Sequence, residues 1–233
     1  MLTTICFDAD DTLWHNERFF HLTQARFAEL LADYAEKEDL DARLLDAERR
    51  NIQHYGFGIK GFTLSMIETA CQITDNRVPG SVIADLIEAG QEMLRHPIEL
   101  LPGAEETVRD LARTHTLLVI TKGDLLDQER KIAQSGLGDL FDGIEIVTEK
   151  TPEVYRGIFT GRGLDVNTSL MAGNSLKSDV NPMIEAGGWG VYVPHGIEWA
   201  LEAAEAPVQH NRYREIAQLG QLPALVDSLS RNI

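Results

Sequence analysis

Three carboxylates, Asp8, Asp10 and Asp11, stand within four positions at the end of an apolar run, in the stretch ICFDADDTLW. Two like charges about 4 Å apart repel by about 1 kcal/mol in water and by roughly 4 kcal/mol at an effective dielectric near 20. Against a domain stability of about 5 to 15 kcal/mol, that repulsion demands a compensating positive charge. A divalent cation supplies it, and oxygen-only ligands suit a hard ion such as Mg²⁺. A carboxylate beside such an ion can attack phosphorus once the metal and a lysine neutralise the incoming oxyanions. A second acid two residues along can then protonate the leaving alkoxide and activate water. If the strand's period of two continues, Asp8 and Asp10 share a side and Asp11 points away, into a turn. The plainer alternative is a solvated strand-to-helix turn with Asp11 or Thr12 as its N-cap.

Further polar residues follow other apolar runs. Thr121, Lys122 and Gly123 follow TLLVI, Lys150 follows the run at 144–148, and Gly173, Asn174, Ser175, Ser178 and Asp179 follow SLMA. If Asp8, Asp10 and Asp179 share one crevice with Lys150, three negatives and one positive leave a formal charge of −2, which one divalent cation cancels.

Positioning these groups requires strands that end at one edge. Apolar runs rich in β-branched residues recur at 2–7, 116–121, 144–148, 169–172 and 190–193, and helical periodicity fills 125–134, 153–159 and 181–186 between the last four. Strands alternating with helices predict an α/β fold, a doubly wound parallel sheet with helices on both faces. In such sheets ligand groups collect where the strands' carboxyl ends converge. More than a hundred residues separate the first two strands, and they read as helices from about 19 to 99. The expected organisation is a Rossmann-like core of residues 1–15 and 100–233, with an inserted α-helical domain over 16–99 and a return hinge at 97–103 (PIELLPG).

The chain of 233 residues carries 37 acidic against 21 basic side chains, a formal charge of −16, so a nucleic-acid polymer is not an expected partner. Cys6 and Cys71 lack zinc spacing and read as reduced core residues. No apolar stretch approaches the roughly 18 to 20 residues that span a bilayer, and the N-terminus meets Asp8 before a signal-peptide core could form, so a cytoplasmic protein without a membrane partner is expected.

Taken together, these motifs resemble the haloacid dehalogenase superfamily of phosphotransferases and hydrolases. Its first motif, hhhDxDxT, stands here as ICFDADDT. The resemblance implies Asp8 as the nucleophile, Asp10 as the general acid and base, and Thr12 as the support of that loop. It also implies Mg²⁺ bound by Asp8, the Asp10 carbonyl, Asn174 and Asp179. Thr121 with Lys122 and Gly123 would hold phosphoryl oxygens. Lys150, in EKTPEVY, would neutralise the phosphate, although it stands one residue nearer the PEVY segment than the family's usual spacing, which leaves Lys122 as the alternative. The fourth motif reads GNSLKSD, with Asn174 where an aspartate is common. An uncharged amide there implies weaker Mg²⁺ binding.

One branch of that superfamily carries a helical cap between its first and second motifs, which excludes water and selects the substrate. Within the expected cap, YGFGIKGF (55–62) is either a loop apex that brings Lys60 to the substrate or a glycine-rich turn between helices. His15, Asn16 and His195 are weaker candidates, and Trp14, Trp189 and Trp199 read as packing residues. The leading expectation is a Mg²⁺-dependent phosphomonoesterase acting on a small phosphorylated metabolite. A 2-haloacid dehalogenase, a phosphomutase, or a non-catalytic binding protein on the same fold are the alternatives. The dehalogenase branch uses the same attacking aspartate without metal and lacks the second acid, so Asp10 argues against it.

Overall fold

A computed structural model describes residues 1–197 and 199–232. The chain forms two compact units: one from Met1–Glu17, Ile98–Lys122 and the chain from Gln128 onward, the other from Arg18–Pro97 and Gly123–Asp127.

The first unit is built on a parallel sheet. β1 (Thr4–Phe7) lies at its centre, flanked by β2 (Thr116–Lys122) and β4 (Ser169–Gly173). β3 (Gly143–Val147) lies outside β2, and β5 (Trp189–Tyr192) and β6 (Tyr213–Glu215) extend the other side, in the order β3-β2-β1-β4-β5-β6. The sixth strand is a feature the sequence reading lacks. Its three residues carry no run long enough to show a period, and pairing with β5 holds them extended.

Both faces of the sheet are covered, so alternate strand residues enter different cores. Ile5, Phe7, Leu117, Val119, Leu170, Ala172 and Val191 pack with residues of α5 (Ala104–Leu111), α6 (Leu125–Ser135) and α9 (Leu222–Asn232). Cys6, Leu118, Ile120 and Met171 pack on the opposite face with α7 (Pro152–Arg162) and α8 (Asn181–Ala186). Continuous apolar runs such as LLVI are what two-sided burial requires. The chain order places a topological switch beside β1, where connections leave in opposite directions and strand ends open a crevice.

The second unit is helical: α1 (Glu17–Leu30), α2 (Lys37–Tyr55), α3 (Ile59–Ile73) and α4 (Gly80–Arg95). Phe27, Leu31, Leu40, Leu44, Phe62, Met66 and Leu86 form its core at helical spacing. The turn between α2 and α3 contains Gly56 and Gly58, both at positive φ. Residues 123–127 join this unit, whereas the sequence reading assigns them to the core. The cause is local: Asp124 pairs with Lys60 at 2.9 Å, and its amide lies 3.4 Å from where a Cβ on Gly58 would stand. Among the described residues, no helix is long and apolar enough to cross a membrane.

Candidate active site

Asp8 is the first residue beyond β1, and its amide extends the ladder by one bond, to the Ala172 carbonyl at 2.9 Å. The chain then turns sharply. The amide of Leu13 donates to Ala9 O at 2.8 Å and that of Asp11 to Trp14 O at 2.7 Å, with Asp11 at φ 58°. Aspartate tolerates this left-handed conformation better than most side chains do. Thr12 stitches the turn to the end of β4: its hydroxyl donates to Asp8 Oδ2 (3.3 Å) and accepts from the Asn174 amide (3.1 Å).

A five-residue π-helical turn, Leu176–Val180, follows β4 and carries Asp179. The Ser175 hydroxyl caps it by accepting from Ser178 N at 2.9 Å, and Asp179 Oδ2 accepts from Ser175 N at 2.9 Å. Gly173 makes this possible, because a Cβ there would lie 2.2 Å from Asp179 Oδ2.

Lys150 precedes α7 and joins the two ends of the chain. Its ammonium donates to Asp8 Oδ1 at 2.5 Å and to Asp179 Oδ1 at 2.6 Å, and its side chain is 1% exposed. One cation between two anions leaves one negative charge in excess. Burial, with Asp179 second, pushes the Asp8 carboxyl up to about 7 against the pull of Lys150. For Lys150, burial alone works against the charged form, but Asp179 and Asp8 outweigh it and hold the ammonium well above its usual range. Despite its irregular spacing, Lys150 is the lysine beside Asp8. The Lys122 ammonium goes instead to Glu202 Oε1 (2.7 Å) and the Ser178 hydroxyl (2.8 Å).

The Asp10 carboxylate is held by three side chains. Oδ1 accepts from Trp14 Nε1 (2.7 Å), Oδ2 accepts from Gln128 Nε2 (2.8 Å), and the Lys131 ammonium lies 3.0 and 3.1 Å from the two oxygens. Trp14 is therefore a hydrogen-bond donor as well as a packing residue. Asp11 takes the turn: its two carboxylate oxygens accept from the amides of Asn16 (2.8 Å) and Glu17 (2.9 Å), at the start of α1.

Thr121 is buried at the end of β2, its hydroxyl 3.3 Å from the Lys122 carbonyl. Gly123 has φ 130° and belongs to the helical unit, as does Lys60, whose ammonium pairs with Asp124.

Oxygen atoms that fit a hard cation converge at Asn174. One terminal atom of its amide lies 3.2 Å from Asp8 Oδ2, 3.1 Å from the Asp10 carbonyl oxygen and 3.2 Å from Thr12 Oγ. With the amide nitrogen in that place, its two hydrogens are shared among the three oxygens. With the amide oxygen there, the carboxylate, carbonyl and amide form the all-oxygen cluster that Mg²⁺ takes. Asn174 thus suits both a metal-free and a metal-loaded site by rotating its amide. Both oxygens of Asp179 accept hydrogen bonds, from the Lys150 ammonium at 2.6 Å and from Ser175 N at 2.9 Å.

Gln128, Lys131 and Glu202 are missing from the sequence reading. Gln128 and Lys131 stand three apart in the helix after β2, a spacing that puts both on one face, and that signal could have found them. Glu202, which accepts from the Ser175 and Ser178 hydroxyls at 2.6 and 2.5 Å, carries no such signal.

Residues 2–187 match the family model of haloacid dehalogenase-like hydrolases. A haloacid dehalogenase-like family hydrolase from Xanthomonas campestris is 39% identical, with 99% of this chain and 93% of that chain covered and a TM-score of 0.89. The magnesium-bound YfnB of Bacillus subtilis aligns at 16% identity over 97% of this chain and 99% of its own, with a TM-score of 0.69. The L-2-haloacid dehalogenase of Xanthobacter autotrophicus with chloropropionic acid covalently bound aligns at 17% over 98% and 100%, with a TM-score of 0.66. The last two likenesses are of fold alone. No curated protein matches the chain.

Proposed function

The chain belongs to the haloacid dehalogenase-like hydrolases, and from that premise we propose that it is a Mg²⁺-dependent phosphomonoesterase acting on a small phosphorylated metabolite. One observation carries the reading: Lys150 holds one oxygen of Asp8, while the other lies in the oxygen cluster with the Asp10 carbonyl and the Asn174 amide. Asp8 is thereby oriented from both sides, and phosphoryl transfer rests mainly on positioning and charge neutralisation.

Asp8, Asp10 through its carbonyl, and Asn174 would hold Mg²⁺, which when bound supplies positive charge against the phosphoryl oxygens. An Asp8 oxygen forms a bond to phosphorus as the ester P–O bond breaks, and Asp10 gives a proton to the departing alkoxide. Asp10 then takes a proton from water as that water attacks the aspartyl phosphate, which releases phosphate and restores Asp8. Lys150 stays charged throughout and keeps Asp8 in place. Thr121 and the Lys122 amide, at the end of β2, hold the transferring group. Asp179 acts on Asp8 through Lys150. In this reading residues 16–99 form the substrate-selecting cap.

Dehalogenation of 2-haloacids is the second reading. It is favoured by the closed Lys150 bridge, which balances much of the buried charge without an ion, and by the three donors that already occupy the Asp10 carboxylate. Assays of phosphate release from a phosphomonoester panel and of chloride release from 2-chloropropionate, each with and without Mg²⁺, separate the two. The phosphatase reading expects phosphate only with Mg²⁺; chloride release in chelator, without phosphate release, overturns it.

A further inference from the structure

Beside the nucleophile loop lies a second cluster that the proposed reaction does not use. Asp11, His15 and His195 each present a ligand atom, and these atoms all lie within 4.8 Å of one another. They come from two places: Asp11 and His15 from the segment between β1 and α1, and His195 from the loop after β5. His195 Nδ1 is 3.4 Å from Asp11 Oδ1, and His195 Nε2 is 3.3 Å from His15 Nδ1.

We propose that Asp11, His15 and His195 form a binding site for a divalent transition metal of the Zn²⁺ class, separate from the oxygen cluster at Asp8. Two imidazoles and one carboxylate are ligands that select Zn²⁺ and its neighbours over Mg²⁺, whereas the Asp8 cluster offers oxygen alone. Ligands about 2.1 Å from a tetrahedral ion stand about 3.4 Å apart, which matches the separation of His195 Nδ1 and Asp11 Oδ1. His15 is half-exposed and can close the remaining distance. The fourth position is left for water or a ligand.

One feature singles this cluster out. The His195 side chain is only 8% exposed, and among the described residues its Nδ1, 3.4 Å from Asp11 Oδ1, makes no hydrogen bond, an arrangement that proteins avoid unless the atom has another use. The amides of Asn16 and Glu17 each occupy one acceptor position on the Asp11 carboxylate, orienting it and leaving further lone pairs for an ion.

The test is calorimetric titration of Zn²⁺ into tag-free, chelator-treated protein in saturating Mg²⁺, with visible spectroscopy of the Co²⁺-substituted protein as a second readout. The expected result is one equivalent of Zn²⁺ and the strong visible absorption of low-coordinate Co²⁺. His15→Ala and His195→Gln should each weaken Zn²⁺ by at least about 10- to 100-fold, the loss typical of removing even an indirect support of a metal ligand. Asp8→Asn should leave binding intact. If His195→Gln fails to fold, half-exposed His15 decides the matter alone. No Zn²⁺ uptake by the wild type, uptake that persists in the histidine variants, or uptake that disappears with Asp8→Asn overturns the proposal.

Discussion

The Lys131 ammonium lies 3.0 and 3.1 Å from the two carboxylate oxygens of Asp10 and 2.9 Å from Asn16 Oδ1. A residue on α6 therefore fixes the acid of the first motif. Asp10→Asn should lower kcat by about 10²- to 10⁴-fold, the usual contribution of a positioned acid or base. Lys131→Met should lower kcat by about tenfold or more with little change in KM. Because the two residues act as a unit, the double variant should be no worse than Asp10→Asn alone. Additive losses in steady-state kinetics would separate them.

Removal of Lys150 leaves Asp8 and Asp179 buried without a cation. Breaking a buried pair of this kind costs about 3 to 5 kcal/mol. Lys150→Met should therefore lose stability of that order in urea unfolding of the metal-free protein, and adding Asp179→Asn should restore part of it. A Lys150→Met protein as stable as the wild type would show that the bridge balances no charge.

Asn174→Asp places a second carboxylate oxygen about where the amide now lies, 3.2 Å from Asp8 Oδ2 and 3.1 Å from the Asp10 carbonyl. Without metal, a destabilisation of about 1 kcal/mol or more should lower the melting temperature by at least roughly 2 to 4 °C. With Mg²⁺ the same charge should tighten binding in a calorimetric titration. Unchanged Mg²⁺ affinity would mean that this position does not face the ion.

In the metal-free protein, burial and Asp179 raise the Asp8 carboxyl to about 7, whereas an aspartate in an unfolded chain ionises near about 3.9. Between those values the folded protein keeps a proton that the unfolded chain has released. This contribution to stability is fully present below pH about 4 and is lost as pH rises through about 7, at no more than about 1.4 kcal/mol per pH unit. Urea unfolding of wild type and Asp8→Asn in chelator should show the difference between them changing over this window in favour of the variant. Parallel curves would contradict the raised value.

The residues that lie in one crevice were legible where chemistry compresses them into short stretches at strand ends. DADDT, GNSLKSD and Lys150 could be placed because a parallel sheet brings its carboxyl edge to one side. The central sheet was equally legible, since strands buried on both faces write continuous apolar runs. The supports of the site were not. Lys131 and Gln128 share one helix face by their spacing, but nothing in that spacing ties the face to Asp10, and Glu202 meets Lys122 and the serines only through the path of the chain after β5. The pairing of His195 with Asp11 and His15 joins residues about 180 positions apart and leaves no spacing to detect. Segment 123–127 follows a core strand, and its contacts with Lys60 and Gly58 go with its place in the helical unit.

The most direct test of Asp8 as the phosphoryl acceptor is acid-quenched single turnover of a phosphomonoester substrate with Mg²⁺, followed by peptide mass spectrometry. Phosphate should be found on the peptide that contains Asp8, and Asp8→Asn should lose both that label and at least about 10⁴-fold in turnover, as loss of a nucleophile does elsewhere. Undiminished phosphate release by Asp8→Asn, with Asp8 of the wild type never labelled, would contradict it.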